Sequence, residues 1–297
     1  MTVSHCELIR RHSRPLAPRP TGQPPHLPKQ QGLRAVLFDI YGTLFVSASG
    51  EVGTDDDGEH RDTLTEALAA VGIPTGGIAV AGDGDRADAP LKETILAHHD
   101  RARAEGIDCP EVDIVAVWRD VLLALGLDAG TLAGVDLARL AVEYEVRANP
   151  VWPMPHLADC LGRLRANGLI LGIVSNAQFF TVELFPALLS QTAAEIGFDE
   201  ELQFYSYQHG RAKPSGYLYD LARQSLASRG VKADEVLYVG NDMLNDVSAA
   251  AQLGFRTALF AGDARSLRLR ADDPRTEGVS PDLVLTDLMD LVDCIGV

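Results

Sequence analysis

The chain has 297 residues, 46% of them hydrophobic and 23% charged, which is enough for a sizeable core plus an insertion or a second domain. A formal net charge of -16 and a pI near 4.8 argue against nucleic acid and anionic lipid as partners. They favour a small-molecule substrate, and an anionic one requires a locally positive site. The four cysteines, Cys6, Cys109, Cys160 and Cys294, are scattered without a CxxC pair and read as free thiols of a reducing compartment.

Residues 1–31 are rich in Pro, Arg, His and Gln and are expected to form a disordered tail. The tail is basic, but no hydrophobic segment of a secretory signal follows it. No apolar run is long enough to span a bilayer, so a cytoplasmic protein is expected. Order should begin at Leu33. Ala35-Val36-Leu37-Phe38 reads as a buried parallel strand running into a loop at Asp39. Residues 46–58 read as a loop.

From His60 to Arg147 the apolar spacing is helical, as in Ile114, Val115, Trp118, Val121 and Leu122, and then in Leu137, Leu140 and Tyr144. Gly and Pro interrupt it, notably over residues 72–84. Strand and helix then alternate. Strands are expected over 169–174, 204–207, 236–239, 256–260 and 283–285, and helices over 155–167, 179–190, 215–228 and 246–253. This order implies an α/β fold, a doubly wound parallel sheet with helices on both faces. The boundaries are a core over 32–45 and 150–297, with a helical insertion over 46–149.

Asp39, Ser175 and Asp242 each stand just past the carboxyl end of an apolar strand, and Lys213 follows another. Ligands of open parallel sheets bind outside those ends. One polar residue there is only the start of a loop, but four in this arrangement point to a shared crevice.

Four segments carry a family resemblance. Phe38-Asp39-Ile40-Tyr41-Gly42-Thr43-Leu44, Ile173-Val174-Ser175-Asn176, Ala212-Lys213-Pro214 and Val239-Gly240-Asn241-Asp242-Met243-Leu244-Asn245-Asp246 resemble, in order, the four motifs of the haloacid dehalogenase superfamily. The helical insertion stands where that family carries its C1-type cap. The resemblance implies a hydrolase with a Rossmann-like core and a covalent mechanism. It makes Asp39 the nucleophile. Ser175 and the Asn176 amide become donors to a substrate oxygen, and Lys213 the cation that neutralises Asp39 and substrate. It also implies Mg²⁺, held by Asp39, the Tyr41 carbonyl, Asp242 and Asp246, with Asn241 as a possible substitute ligand. Asp246 reads equally as an acid at a helix N-terminus.

Two motifs pull apart. Family phosphatases place a second Asp, a general acid, two residues after the nucleophile, and here that residue is Tyr41. A tyrosine with a pKa of about 10 is a poor base, and general acid–base help contributes about 10²- to 10⁴-fold in rate. The first motif is similar instead to L-2-haloacid dehalogenases, whose halide leaves without a proton and which use no metal. The acidic fourth motif is similar to Mg²⁺-dependent phosphatases, since clustered carboxylates without a cation repel one another. The favoured expectation is a Mg²⁺-dependent phosphatase of a small phosphorylated metabolite. The alternatives are a 2-haloacid dehalogenase, or a degenerate member that binds a ligand or a partner protein. No oligomeric state is legible.

Other residues are set aside. His98 and His99 are adjacent on a helix and share no face. His209 reads as a loop residue, and Trp118 as core. Arg61, Arg101, Arg103 and Arg119 are cations of the insertion without an assigned role, and Asp55-Asp56-Asp57 reads as a solvated charge run.

Overall fold

Strand β1 (Ala35–Phe38) is central in a six-stranded parallel sheet in this computed structural model, which describes residues 3–49, 61–73 and 89–296. The other strands are β2 (Phe45–Ser47), β3 (Val151–Pro153), β4 (Ile170–Ser175), β5 (Phe198–Tyr205), β6 (Val236–Gly240), β7 (Arg256–Phe260) and β8 (Leu283–Leu285). The large sheet runs β5-β4-β1-β6-β7-β8. All four β1 side chains are buried because both faces are covered, which is why the run shows no alternation. Val36 and Phe38 join one core with the helix Leu157–Ala166, while Ala35 and Leu37 join another with the helix Tyr217–Ser228. β4 and β6 flank β1 on opposite sides, so strand order reverses there and a crevice opens at the carboxyl ends.

β2 and β3 form a separate antiparallel pair, with Phe45 opposite Pro153. Between them lie the helices Arg61–Ala70, Ala89–Ala104, Ile114–Ala124, Ala129–Leu132 and Leu137–Ala148. Trp118 and Tyr144 meet edge to face in their interior, with ring centroids 5.0 Å apart. Residues 55–57 and most of 72–84 lie outside the described residues.

Three expectations need correction. Residues 3–31 do not form a free tail. Ser4 caps a helix over His5–His12 whose Leu8 and Ile9 are buried in the main core, and Arg10 donates to the carbonyls of Pro186 and Ala187. His26 then pairs with Val284 as an antiparallel bridge. Average composition hid two well-placed apolar residues and a backbone that pairs along a sheet edge. The strand expected over 204–207 is β5, longer and earlier. As the edge strand it carries Asp199, Glu200 and Glu201, so it shows no apolar run. The helix expected over 179–190 is a 3₁₀ turn, Phe179–Glu183, followed by the helix Leu184–Leu189.

Candidate active site

Asp39 directly follows β1, and its backbone amide donates to Val239 O at 2.9 Å, so the strand hydrogen bonding fixes where the carboxylate begins. The chain then turns away through Gly42, at φ +75. A Cβ there would lie 2.4 Å from Ser266 Cβ, so the turn requires glycine. Lys213 is brought in by a clamp. Asn176, just past β4, accepts from Lys213 N at 2.7 Å and donates to Lys213 O at 3.2 Å.

The Lys213 ammonium lies 2.9 Å from Asp39 Oδ1 and 2.6 Å from Asp246 Oδ1, and donates to the Tyr238 hydroxyl at 3.1 Å. Burial works against its charge, but Asp246 and Asp39 outweigh that, so its pKa is raised above the ordinary lysine value. Burial pushes the Asp246 carboxyl upward, while Lys213 pulls it back. Asp246 packs directly over Gly240, where a Cβ would come within 2.3 Å of its Cγ. Glycine at that strand end is what lets the carboxylate reach the lysine.

Asp242 caps the following turn, accepting from Leu244 N at 2.8 Å and Asn245 N at 3.1 Å on one oxygen. Its other oxygen receives Arg270 Nη2 at 2.6 Å and Nε at 3.1 Å, and Asn245 Nδ2 at 3.2 Å. The clustered carboxylates of the fourth motif are therefore not unpaired. Lys213 bridges Asp39 and Asp246, and Arg270 neutralises Asp242. The charge repulsion that suggested a metal from the sequence is met here by protein cations.

The expected metal donors divide accordingly. Both oxygens of Asp242 and of Asp246 are engaged by protein donors, Asp246 Oδ2 by the amide of Asp242 at 2.9 Å. Asp39, Tyr41, Asn241, Asp242 and Asp246 all line one cavity. Lys213 Nζ lies 2.9 Å from Asp39 Oδ1. Asn241 is oriented by Nδ2 donating to Ser266 O at 2.5 Å, and its Oδ1 receives only a long bond from Thr43 at 3.3 Å. Asp39, the Tyr41 carbonyl and Asn241 offer hard oxygens of the kind Mg²⁺ takes, with one formal charge among them. Among the described residues no three His, Cys, Asp or Glu side chains cluster as a metal site.

The cavity is about 450 Å³, within the usual range of small-molecule sites. Asp39, Lys213, Asn176, Ala177, Asn241 and Arg268 are among the residues on its sheet side, and Ile95, His99, Glu111, Val112, Ile114 and Glu145 among those on its helical side. Ser175 is fully buried, is not part of the wall, and turns its hydroxyl toward the Asn176 carbonyl at 3.3 Å. The expectation that Ser175 faces substrate is thus not met in this structure, and the Asn176 side chain is spent on holding Lys213. Tyr41 lines the wall, with its hydroxyl 3.0 Å from Thr181 Oγ1. Burial, reinforced by Glu145 and Asp39, pushes its pKa far above the ordinary value, so the hydroxyl stays protonated.

Sequence reading missed Glu111, Glu145, Asn149, Gln178 and the two arginines of the loop after β7. One signal was present. Glu145 stands four residues after Ala141, on the apolar face of its helix, where a carboxyl is out of place. No signal marks Arg268 or Arg270, which reach the site through a bridge between Asp242 and Arg268.

Comparisons with known proteins agree with this geometry. The chain is 29% identical over 235 residues to a phosphoglycolate phosphatase of Salmonella choleraesuis, covering 76% of this chain and 80% of that protein. It is 26% identical over 283 residues to the phosphoglycolate phosphatase of Escherichia coli K12, covering 90% and 94%. Its fold is similar to that of a 2-haloacid dehalogenase from Pseudomonas syringae, with a TM-score of 0.55 at 21% identity, covering 89% of this chain and 98% of that one. A profile of haloacid dehalogenase-like hydrolases matches residues 33–254. With strand order and profile in accord, the chain belongs to the haloacid dehalogenase-like hydrolase family.

Proposed function

We propose that this hydrolase is a phosphatase of small phosphate monoesters, working through an aspartyl-phosphate on Asp39. One observation carries the reading: the Asp39 carboxylate lines the cavity at the end of the central strand, with Lys213 Nζ 2.9 Å from its Oδ1. The lysine pairs with the Asp39 carboxylate and offers positive charge to the phosphoryl oxygens. Likeness to the phosphoglycolate phosphatases, at 26–29% identity, supports phosphate over halide as the leaving chemistry.

Asp39 attacks phosphorus, the ester P–O bond breaks, and the alcohol departs with a proton. Water then cleaves the acyl phosphate and frees Asp39 and inorganic phosphate. Tyr41 stays protonated and cannot act as the base for that water. Esters with good leaving groups are therefore expected to turn over best. Mg²⁺ would be held by Asp39, the Tyr41 carbonyl and Asn241, and when bound it supplies charge neutralisation for the transferring group. The helical insertion between β2 and β3 acts as the cap that supplies the cavity's other wall and excludes water.

A second reading, 2-haloacid dehalogenase, is favoured by one observation. Asp242 and Asp246 are neutralised by Arg270 and Lys213, so the fourth motif does not itself require a metal. The experiment that separates the two is hydrolysis of p-nitrophenyl phosphate with Mg²⁺ or with EDTA, run beside chloride release from 2-chloropropionate. Phosphate release that EDTA suppresses is the expected result. Chloride release indifferent to EDTA, without phosphate release, would overturn it.

A further inference from the structure

The helical wall of the cavity differs from its sheet wall in charge. Glu145 is 7% exposed and its Oε1 receives only Asn149 Nδ2, at 3.1 Å. Asn149 is itself fixed by Ser47, whose hydroxyl donates to its Oδ1 at 2.8 Å. Glu145 Oε2 has no hydrogen-bond partner among the described residues, and Glu145 lines the cavity. Glu111 lines the same cavity, and its carboxylate takes Gln178 Nε2 at 2.9 Å and the Ser206 hydroxyl at 2.5 Å.

Every donor to these two carboxyls is neutral. The described cations of the cavity wall, Lys213 and Arg268, belong to the sheet side. His99, on the helical side, is held toward its neutral form by burial. A phosphate group seated at Asp39 and Lys213 therefore leaves its alcohol portion facing acceptors with hydrogen-bond capacity to spare and no charge to offer an anion.

Resting on the phosphatase reading, we propose that the Glu145 wall selects a phosphate monoester whose alcohol portion carries hydroxyl or ammonium donors, and rejects one that carries a carboxylate. A donor on the substrate fills the open valence of Glu145 Oε2. A carboxylate there brings acceptors against acceptors, and like charge wherever Glu145 is ionised. The residue acts on substrate choice and takes no part in bond breaking.

The test compares kcat/KM for O-phosphoethanolamine, glycerol 3-phosphate and 2-phosphoglycolate, with p-nitrophenyl phosphate as a generic reference. The wild-type protein is expected to prefer the first two over 2-phosphoglycolate by about 10- to 100-fold. Glu145→Gln keeps the shape and removes the charge, so it should raise 2-phosphoglycolate relative to O-phosphoethanolamine by about tenfold. A merely structural role would lower all three together, and that result overturns the proposal. So does wild-type turnover of 2-phosphoglycolate equal to or above the others, a measurement that needs no variant. If p-nitrophenyl phosphate is cleaved while the carboxylate ester is preferred, only the selectivity falls. If none of the four is cleaved, the phosphatase reading falls and takes the selectivity with it.

Discussion

Two regions of the cavity handle buried carboxylates in opposite ways. At the strand ends, Asp39 and Asp246 share the Lys213 ammonium, and Asp242 takes the Arg270 guanidinium. On the helical side, Glu145 and Glu111 are met by amides and a hydroxyl alone. A cation beside a buried carboxylate opposes the effect of burial, as Lys213 does at Asp246. Unpaired carboxylates are pushed toward the neutral form, and burial raises Glu145 to about 7. The difference separates a reacting floor built around fixed charge from a wall whose charge depends on what sits against it.

The largest effect is expected at the floor. Asp39→Asn should lower turnover at least about 10³-fold while leaving the melting temperature nearly unchanged, because it removes the nucleophile and keeps the shape. Full activity in that variant would remove Asp39 from the mechanism. Lys213→Met should cost about 10²- to 10³-fold in rate. It should also cost about 3 kcal/mol in stability by urea denaturation, since Asp246 is left buried without its cation. Adding Asp246→Asn should recover most of the stability and none of the rate. A double variant that recovers both would erase the distinction between the two regions.

Glu145 sharpens the comparison through pH. Its pKa in the folded protein, about 7, lies above its ordinary value near 4.5, so the native state holds a proton that the unfolded chain has released. Stability from this group is fully present below pH 4.5 and is lost as pH rises through about 7. Glu145→Gln removes that loss, so the variant should gain on the wild type between pH 4.5 and 7 by up to about 3 kcal/mol, then run parallel above it. Urea denaturation at pH 5 and pH 8 reads this directly, and equal gains at both would mean the carboxyl is not strained by burial. The smallest effect concerns the metal. Asn241→Asp adds a second formal charge to the oxygen set and should tighten Mg²⁺ about tenfold by calorimetry. No change would move the ion away from Asn241.

Much of the floor was legible in the sequence because strand ends are. An apolar run that stops at Asp39 or at Gly240-Asn241-Asp242 announces both the buried strand and the residue that leaves it. The roles of Ser175 and Asp246 were less legible, since a residue's place at a strand end does not say which way its side chain turns. Ser175 turns to its own backbone and Asp246 to Lys213. The edge strand β5 and the segment over residues 3–31 were hidden for a related reason. Their polar composition reflects an exposed side, while what holds them is backbone pairing and a few buried contacts such as Leu8 and Ile9.

The sequence by itself determined the parallel α/β core, the strand-end place of Asp39 and the family, because these depend on local runs and on short motifs with fixed spacing. Only the tertiary structure decided which cation neutralises which carboxylate, and what faces the substrate across the cavity. Lys213 reaches Asp246 across 33 positions, and Arg270 reaches Asp242 across 28. Asp39 and Glu145 share a cavity although they lie on different elements. Coulomb energy and desolvation depend on distance in space, and no local pattern in a chain encodes which distant side chains folding will bring together.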